Sequence, residues 1–330
     1  MNPNLDILVV NWNSGDHLKR CVESVLTSSA SAYTLGKVII VDNGSTDGST
    51  ESIEFIDQSV LVVRNQRNLG FGVACNIGAD LVSSEYLLFL NPDVVLTKDA
   101  LDTSIEFMSR DSSKQVGICG IKMHNAAGVV HRSCGRVPKA INFISRATGL
   151  CRVSSRYFPD VTLDEFDHES SMYVPHVIGA FYLMRRTVFQ DAGGFDSRFF
   201  VYLEDLDLSI RVGSLGWGCF YLSAAHATHV GGGTSANAKA AALFYSIRSR
   251  LIYSRKHFST LGALGVFVAT LTIEPLARLG QALFLLNAQQ ARDSWFAYQC
   301  LLRTFSDCWR LPVSLDSVAR PLESPQMRQD

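Results

Sequence analysis

The sequence has no excess of either charge: 30 Lys and Arg stand against 31 Asp and Glu. No global field therefore draws nucleic acid, and an anionic ligand has to be held by a dedicated site. Nor does it have a C-x-x-C pair or any metal-ligand spacing among its eight cysteines (Cys21, Cys75, Cys119, Cys134, Cys151, Cys219, Cys300, Cys308), which read as reduced and mostly buried thiols. The amino-terminal MNPNLDILVVNWNSGD lacks a basic stretch and its apolar run is only a strand long. No signal peptide is expected, and the cytoplasm is the expected compartment. No G-x-G-x-x-G follows the first apolar run and no G-x-x-x-x-G-K-[ST] occurs anywhere, which excludes the fingerprints of dinucleotide-dependent oxidoreductases and P-loop NTPases. The glycine- and arginine-rich activating loop of a sugar-phosphate nucleotidyltransferase is also missing. There is no repeat at a fixed period and no low-complexity linker.

What is present is a chain of 330 residues, 47% apolar, enough for one large core or one core plus a smaller module. Short apolar runs alternate with helix-like stretches. LDILVV is followed by a predicted helix over about 16–28, KVIIVD by another after Asp47, VLVVR by one over 71–82, and YLLFL by one over about 98–109, before VGICGI. This order predicts an α/β fold with a mostly parallel central sheet flanked by crossover helices. The unbroken apolar runs are those of strands buried on both faces. Residues 135–171 read as a long loop or short helices. A second block from Met172 to the glycines at 231–233 completes the domain, expected over residues 1–236, with a helical region over 237–330.

In sheets of this kind ligands collect at the carboxyl ends of the strands. Those ends are small and polar here: Asn11-Trp12-Asn13-Ser14 after LDILVV, Asp42-Asn43-Gly44-Ser45 after KVIIV, and Asn91-Pro92-Asp93 after YLLFL. Three strand ends converge on one expected polar cleft.

The segments ILVVNWNS, VIIVDNGSTDGS, RNLGFGVACNIG, YLLFLNPDV, GGFDSRFFVYLEDLDLSIR and HVGGGTS, in this order, resemble family 2 glycosyltransferases, and among them the bacterial rhamnosyltransferase-like members. The resemblance implies the GT-A nucleotide-diphospho-sugar transferase fold and transfer of a sugar from a nucleoside diphosphate to an acceptor hydroxyl with inversion. It also implies a divalent cation, Mn2+ or Mg2+, whose role fits the chemistry: leaving diphosphate gathers negative charge that a hard cation neutralises. Where the family usually has Asp-x-Asp this chain has Asn91-Pro92-Asp93, so one carboxylate of the two survives. Asp93 is expected to hold the metal, with His229, in His-Val-Gly-Gly-Gly, as its second protein contact; His226 lies near enough to be confused with it. The same three residues 91–93 would also make a good turn.

By resemblance, Asp42 contacts the base or ribose with Asn43 and Ser45 beside it. Asn11, Asn68 and Asn91 add polar contacts, and Gly70 and Gly72 allow close backbone approach. Asp42 and Ser45 are equally suited to capping a helix. Gly179-Ala180 resembles a small-residue turn that admits donor or acceptor. In Tyr202-Leu203-Glu204-Asp205, Asp205 resembles the family's base, which takes the acceptor proton, and Glu204 orients acceptor or base; adjacent carboxylates also suit a helix first turn. Asp207 and Arg211 are spaced for an i,i+4 pair. Gly231-Gly232-Gly233-Thr234-Ser235 suits a lid.

Beyond residue 237, Phe244, Ile247, Leu251 and Ile252 recur at helical spacing, with Arg248, Arg250, Arg255 and Lys256 available to the other side, the pattern of a basic amphipathic helix. The apolar run 261–273 is too short to span a bilayer, and Glu274-Pro275 and Arg278 interrupt its continuation. The expectation is a set of basic helices lying on the inner face of the cytoplasmic membrane; an ordinary helical subdomain is the competing expectation. The expected partners are a nucleotide-sugar donor, dTDP-rhamnose first and UDP-hexoses or UDP-N-acetylhexosamines second, and a glycan or lipid-linked acceptor, with no nucleic acid. A non-catalytic nucleotide-sugar-binding protein is the alternative of another class, distinguished by nucleotide affinity without a metal-dependent product.

Overall fold

The computed structural model describes residues 2–154, 156–158, 160–163, 165–231 and 239–304. It divides into two compact units, one of residues 1–136, 162–196 and 204–234, the other of 137–161, 197–203 and 235–330.

The first unit contains β1 (Asn4–Asn11), α1 (Asp16–Leu26), β2 (Thr34–Asp42), β3 (Val60–Arg64), α2 (Phe71–Ala79), β4 (Tyr86–Leu90), β5 (Val94–Leu96), α3 (Ala100–Ser109), β6 (Val116–His124) and β7 (Cys134–Gly135). After two helices of the other unit, α4 (Ala140–Thr148) and α5 (Leu150–Val153), it continues with β8 (Met172–Val174), β9 (His176–Val177), β10 (Phe181–Arg185), α6 (Arg186–Asp191), α7 (Glu204–Ser214) and β11 (Gly218–His229). Among the described residues one nine-stranded sheet has the order β3-β2-β1-β4-β10-β6-β11-β5, with β8 paired to β11; β7 and β9 form a separate pair. β1 to β4 are mutually parallel where they pair, β11 runs parallel to β6, and β10, β5 and β8 pair antiparallel.

The alternation of side chains along β4 explains why YLLFL has no polar position. Leu88 and Leu90 enter one core with Leu18, Val22 and Val25 of α1 and Leu101 and Ile105 of α3. Leu87 and Phe89 enter the opposite core with Ala74 and Cys75 of α2, Phe189 of α6, and Leu208 and Val212 of α7. Period-2 geometry makes both faces apolar when both are covered. The helix predicted after Asp47 does not form. Asp47 instead accepts from the Ser49 backbone N–H at 3.1 Å and its hydroxyl at 2.6 Å, and residues 49–55 form turns, because short Asp and Ser side chains compete with helical backbone bonding.

The second unit is helical: α4, α5, α8 (Lys239–His257), α9 (Thr260–Val268), a π turn (Ala269–Ile273), α10 (Glu274–Phe284) and α11 (Ala288–Arg303). α8 packs on α9 and α11, α4 on α9, and α10 on α11. The sequence reading of 135–171 as loop or short helices is realised partly as α4 and α5. The expectation that α8 is an amphipathic helix with Arg248, Arg250, Arg255 and Lys256 on a basic outer side is corrected for the first two, while Arg255 and Lys256 are half-buried. Phe244, Ile247, Leu251 and Ile252 are buried, and so are Arg248 (2% exposed) and Arg250 (7% exposed). Arg248 donates to the Arg198 carbonyl at 2.9 Å, and Arg250 pairs with Glu274, which also accepts from Arg278 at 2.8 Å. Buried cations are tolerated only when so compensated, and the compensating carboxylate lies on another helix, where the periodicity of α8 cannot reveal it.

Seven cysteines lie in the described residues, all free and six of them buried; Cys308 lies outside the described residues.

Candidate functional site

The parallel register sets Asn11 at the end of β1 opposite Asp42 at the end of β2. The Asn11 amide donates to Asp42 Oδ1 at 2.8 Å, to Ser45 Oγ at 3.0 Å and to Ser49 Oγ at 2.9 Å. Ser45 also donates to Asp42 through its hydroxyl. Asn43 donates to the Gly70 carbonyl at 3.1 Å, and Asn68 Oδ1 accepts from the Gly70 N–H at 2.9 Å. Asn11, Asp42, Asn43, Ser45, Asn68 and Gly70 are thus joined through short polar contacts at the ends of β1 and β2. Asn11, Asp42 and Asn43 are all buried. Gly72 departs from expectation: a Cβ there would lie 3.0 Å from Phe195 Cβ, so its smallness serves packing against the loop before α7 rather than approach of a ligand.

Next along the sheet, the Asn91 N–H donates to the Ala180 carbonyl at 2.9 Å, which ties the end of β4 to the start of β10. Asn91 is held through its backbone, its carbonyl also accepting from the Val94 N–H at 3.2 Å. Two residues on, Asp93 Oδ1 lies 3.3 Å from His229 Nε2, and Asp93 Oδ2 accepts from the Gly231 N–H at 3.1 Å. β11 brings His229 there by pairing it with Val94. His226, three residues earlier on β11, stacks instead on His124 with centroids 5.7 Å apart. Burial pushes the Asp93 carboxyl up, but the hydrogen bond and charge of His229 and the Gly231 N–H outweigh it, and Asp93 ends below the ordinary carboxylate value. Among the described residues no three His, Cys, Asp or Glu gather as a metal cluster. The pair nonetheless suits a cation completed by ligand oxygens: it offers one carboxylate and one imidazole, and His229 Nδ1 is buried with no hydrogen-bond partner in the structure. A mixed O,N donor set of this kind fits Mn2+ better than Mg2+.

The third cluster surrounds Asp205. Its Oδ2 accepts from the Gly179 N–H at 2.8 Å and its Oδ1 from the Leu206 N–H at 2.7 Å. A Cβ on Gly179 would stand 3.3 Å from Asp205 Oδ2, so this glycine makes room for the carboxylate itself. Ala180 is buried beside it. Glu204 does not line up with its neighbour as expected. Its side chain is buried, burial foremost and the Asp205 and Asp207 charges next drive its carboxyl well above the usual range, and its Oε2 has no hydrogen-bond partner. Asp207 pairs with Arg211 at 2.8 Å, one helical turn on. Of the glycine-rich run, Gly231 is described and Gly232, Gly233, Thr234 and Ser235 lie outside the described residues.

Two histidines that carried no sequence signal complete the picture. His176 Nε2 lies 3.8 Å from Asp205 Oδ2, while its Nδ1 meets Ser209 Oγ at 2.9 Å and Ser209 meets the Tyr182 hydroxyl at 2.7 Å. Burial, partly offset by Asp205, holds the His176 ring below its ordinary pKa, so it is neutral at neutral pH. The Tyr182 hydroxyl also donates to the Asp205 backbone carbonyl at 3.2 Å, so the His176–Ser209–Tyr182 chain ends on the backbone of Asp205 itself. His168 Nε2 accepts from the backbone N–H groups of Ser133 and Cys134 at 3.1 and 3.3 Å, and its Nδ1 faces the Phe166 carbonyl at 2.9 Å. The signal for both was spatial: no spacing in the chain links residue 168 to 133 or 176 to 205.

The strand-end residues from Asn11 to Asp93, and Gly179, lie in the part of the chain that a known family covers, while Asp205 and His229 lie beyond it: residues 6–193 match the model described as Glycosyl transferase family 2. The chain belongs to glycosyl transferase family 2. Among curated relatives, it is 28% identical over 242 residues to the N-acetylglucosaminyl-diphospho-decaprenol L-rhamnosyltransferase of Mycobacterium tuberculosis, covering 68% of this chain and 75% of that one. It is 25% identical over 236 residues to the rhamnosyltransferase WbbL of Escherichia coli, covering 68% and 82%. Among solved structures it resembles a mannosyltransferase of Pyrobaculum calidifontis in complex with GDP-Man and Mn2+, with a TM-score of 0.53 at 15% identity over 97% of this chain and 84% of that one. It also resembles GalNAc-T7 with UDP, GalNAc and Mn2+, with a TM-score of 0.53 at 16% identity over 69% of this chain but only 43% of that one. At such identities the structural likenesses establish the fold, which is GT-A. This family 2 glycosyltransferase therefore has a mostly parallel sheet with antiparallel members at β10, β5 and β8.

Proposed function

We propose that the first unit transfers L-rhamnose from dTDP-rhamnose, with inversion, to a hydroxyl of a growing surface polysaccharide or lipid-linked glycan at the inner face of the cytoplasmic membrane. The observation that carries the proposal is the Asp205 carboxylate, held by the N–H groups of Gly179 and Leu206 beside the strand end that presents Asn91 and Asp93. The sugar is supported by the rhamnosyltransferase relatives.

In this reading Asp42, with Asn11, Asn43 and Ser45, receives the nucleoside through carboxylate and amide acceptors and donors. Asn68, Gly70 and Asn91 border the same polar edge. Asp93 and His229 hold a divalent cation, which when bound neutralises charge on the diphosphate. Asp205 accepts the proton of the attacking acceptor hydroxyl as that oxygen bonds to the anomeric carbon and the bond to the diphosphate oxygen breaks. Two backbone N–H bonds aim the carboxylate and leave its remaining lone pairs for the acceptor. His176 stands 3.8 Å from the same carboxylate and is joined through Ser209 and Tyr182 to the Asp205 backbone carbonyl. Ala180 walls the site, and Glu204, buried with its carboxyl pushed above the usual range, lies at the start of α7.

The test is a thermal-shift panel with dTDP, UDP, GDP and CMP, with and without Mn2+, followed by radiolabelled transfer to a lipid-linked acceptor. Ligand that binds the native state raises its melting temperature. A Mn2+-dependent shift with dTDP and labelled product is the expected result. A shift with UDP alone overturns the rhamnosyl donor, and a shift without any product overturns transfer in favour of a binding protein.

A further inference from the structure

The second unit carries a surface that transfer chemistry does not use. Seventeen of the twenty-five exposed large apolar side chains among the described residues belong to it. They are not scattered. α9, the π turn and α10 run on as one helical segment, Thr260–Phe284, of 25 residues, whose most apolar 18-residue stretch has a mean hydropathy of 1.6. Along it Leu261, Leu264, Val268, Leu276, Leu279 and Leu283 are all exposed, at spacings of three, four, eight, three and four. A π turn adds one residue to its turn, and it falls within the eight-residue interval, so the two halves of the stripe stay on one side. The segment ends in Phe284 (87% exposed), Leu285 and Leu286 (92% exposed), an apolar tip at the turn into α11. Isolated exposed apolar residues need no explanation, but a contiguous patch of this extent marks an interaction surface.

Charge selects the partner. The described part of this unit contains 13 Lys and Arg against three Asp and Glu. One of those three, Glu274, is spent on Arg250 and Arg278. Exposed cations adjoin the apolar surface: Arg152 donates to Gln281 of α10 at 3.4 Å, next to the exposed Val153 and Tyr157. On α11, exposed Arg292, Trp295, Leu302 and Arg303 share one face. A second copy would bring the same positive charge to the contact and be repelled. An anionic lipid surface satisfies both features at once, taking aliphatic side chains into the acyl boundary and pairing arginines with phosphates, with Trp and Tyr at headgroup level.

We propose that α9, the π turn, α10 and the Phe284-Leu285-Leu286 tip seat this unit in the headgroup and acyl boundary of an anionic bilayer. The helix lies in the plane of the interface rather than crossing it, because its inner side is occupied by α4, α8 and α11 and carries the Glu274 ion pairs at mid-length. This deepens the proposed membrane location and rests on that reading for its purpose, delivery of the site to a lipid-linked acceptor. It replaces the basic side expected for α8, whose Arg248 and Arg250 are buried, with a surface on other helices.

Flotation of the full chain with vesicles of phosphatidylcholine alone or mixed with phosphatidylglycerol tests it. The wild type floats with the mixed vesicles and less so as salt rises. Leu283→Glu with Phe284→Glu loses at least about tenfold in vesicle binding, since two apolar anchors become charged. Leu276→Asn, a milder change at another exposed position, loses less. Both variants keep the wild-type melting temperature and its nucleotide-induced shift in solution, which separates failure of this surface from failure of the transferase reading. Undiminished flotation of the double variant overturns the proposal. So does a wild type that does not float, as when residues 305–330 or another protein occupy the face, or one that sediments as a dimer which the double variant dissociates.

Discussion

The two units of this chain solve opposite problems with the same helix-forming vocabulary. The first holds 14 Lys and Arg against 24 Asp and Glu, the second 16 against seven, so the near-neutral total conceals two strongly charged halves of opposite sign. In the first unit the acidic groups that matter are fixed by neighbours: Asp42 by Asn11 and Ser45, Asp93 by His229 and Gly231, Asp205 by Gly179 and Leu206. In the second unit the cations divide, Arg248 and Arg250 holding helices together from inside while Arg152, Arg292 and Arg303 stay at the surface. Charge in one unit is arranged to hold small ligands, and in the other to hold helices and meet a surface.

The contrast breaks hardest at Asp205. Asp205→Asn keeps the shape and the Gly179 contact but cannot accept a proton, so turnover is expected to fall by about 10²–10⁴-fold, while donor affinity measured by calorimetry stays within error. Wild-type turnover in the variant would remove Asp205 from its role. Asp93→Ala should weaken Mn2+-dependent donor binding by at least about 100-fold, the loss of several kcal/mol of charge stabilisation. Unchanged affinity with Mn2+ would show that the pair with His229 is structural. In the second unit, Arg250→Met strands Glu274 beside Arg278 alone, and breaking a buried ion pair costs about 3–5 kcal/mol. Urea unfolding should show that loss, while the nucleotide-induced thermal shift of the first unit persists; no loss of stability would mean the pair is dispensable.

Local pattern in the chain carried the first unit further than the second. Strands β1, β2, β4 and β6 announce themselves because a strand buried on both faces has no polar position, and the polar residues at their ends stand out against that background. Asn11, Asp42, Asn91 and Asp93 are legible for this reason, and the resemblance supplied Asp205 and His229. What stayed hidden depends on partners distant in the chain. Nothing local distinguishes His176 from any histidine in a short strand, or says that Gly72 and Gly179 are small for Phe195 and Asp205 respectively. In α8 the apolar spacing identified one buried side correctly, but a cation on the other side reads as exposed until its partner is known. Glu274 lies 24 residues from Arg250, beyond any helical repeat. The helix expected after Asp47 failed for the opposite reason, a purely local one: Asp47 bonds Ser49 before a helix can start.

Acidification sharpens the comparison with the smallest effect. His168 is held as a neutral ring with its proton on Nδ1, since Nδ1 faces a carbonyl while Nε2 accepts from two backbone N–H groups. Protonating Nε2 would set three N–H groups against one another. Burial first, with the charges of Arg132 and Lys122, keeps the ring below its ordinary value of 6.5, and burial does the same for His176. A histidine whose pKa is lower in the folded chain binds its proton in the unfolded chain first, so stability contributed by the neutral ring is full above about pH 6.5 and declines as pH falls toward the folded value. The loss is at most about 1.4 kcal/mol for each pH unit and each such histidine. Hydrogen exchange at pH 7.5 and 5.5, corrected for intrinsic rates, should show protection falling in β7, β9 and β10 of the first unit, with α8 of the second unchanged, because its one histidine, His257, sits in the last turn of the helix. His168→Phe should remove its share of the pH dependence at the cost of stranding the Ser133 and Cys134 N–H groups, about 1–3 kcal/mol for each. If both units lost protection equally on acidification, the histidine account would fail, and the acid response would belong to the chain's carboxylates as a whole.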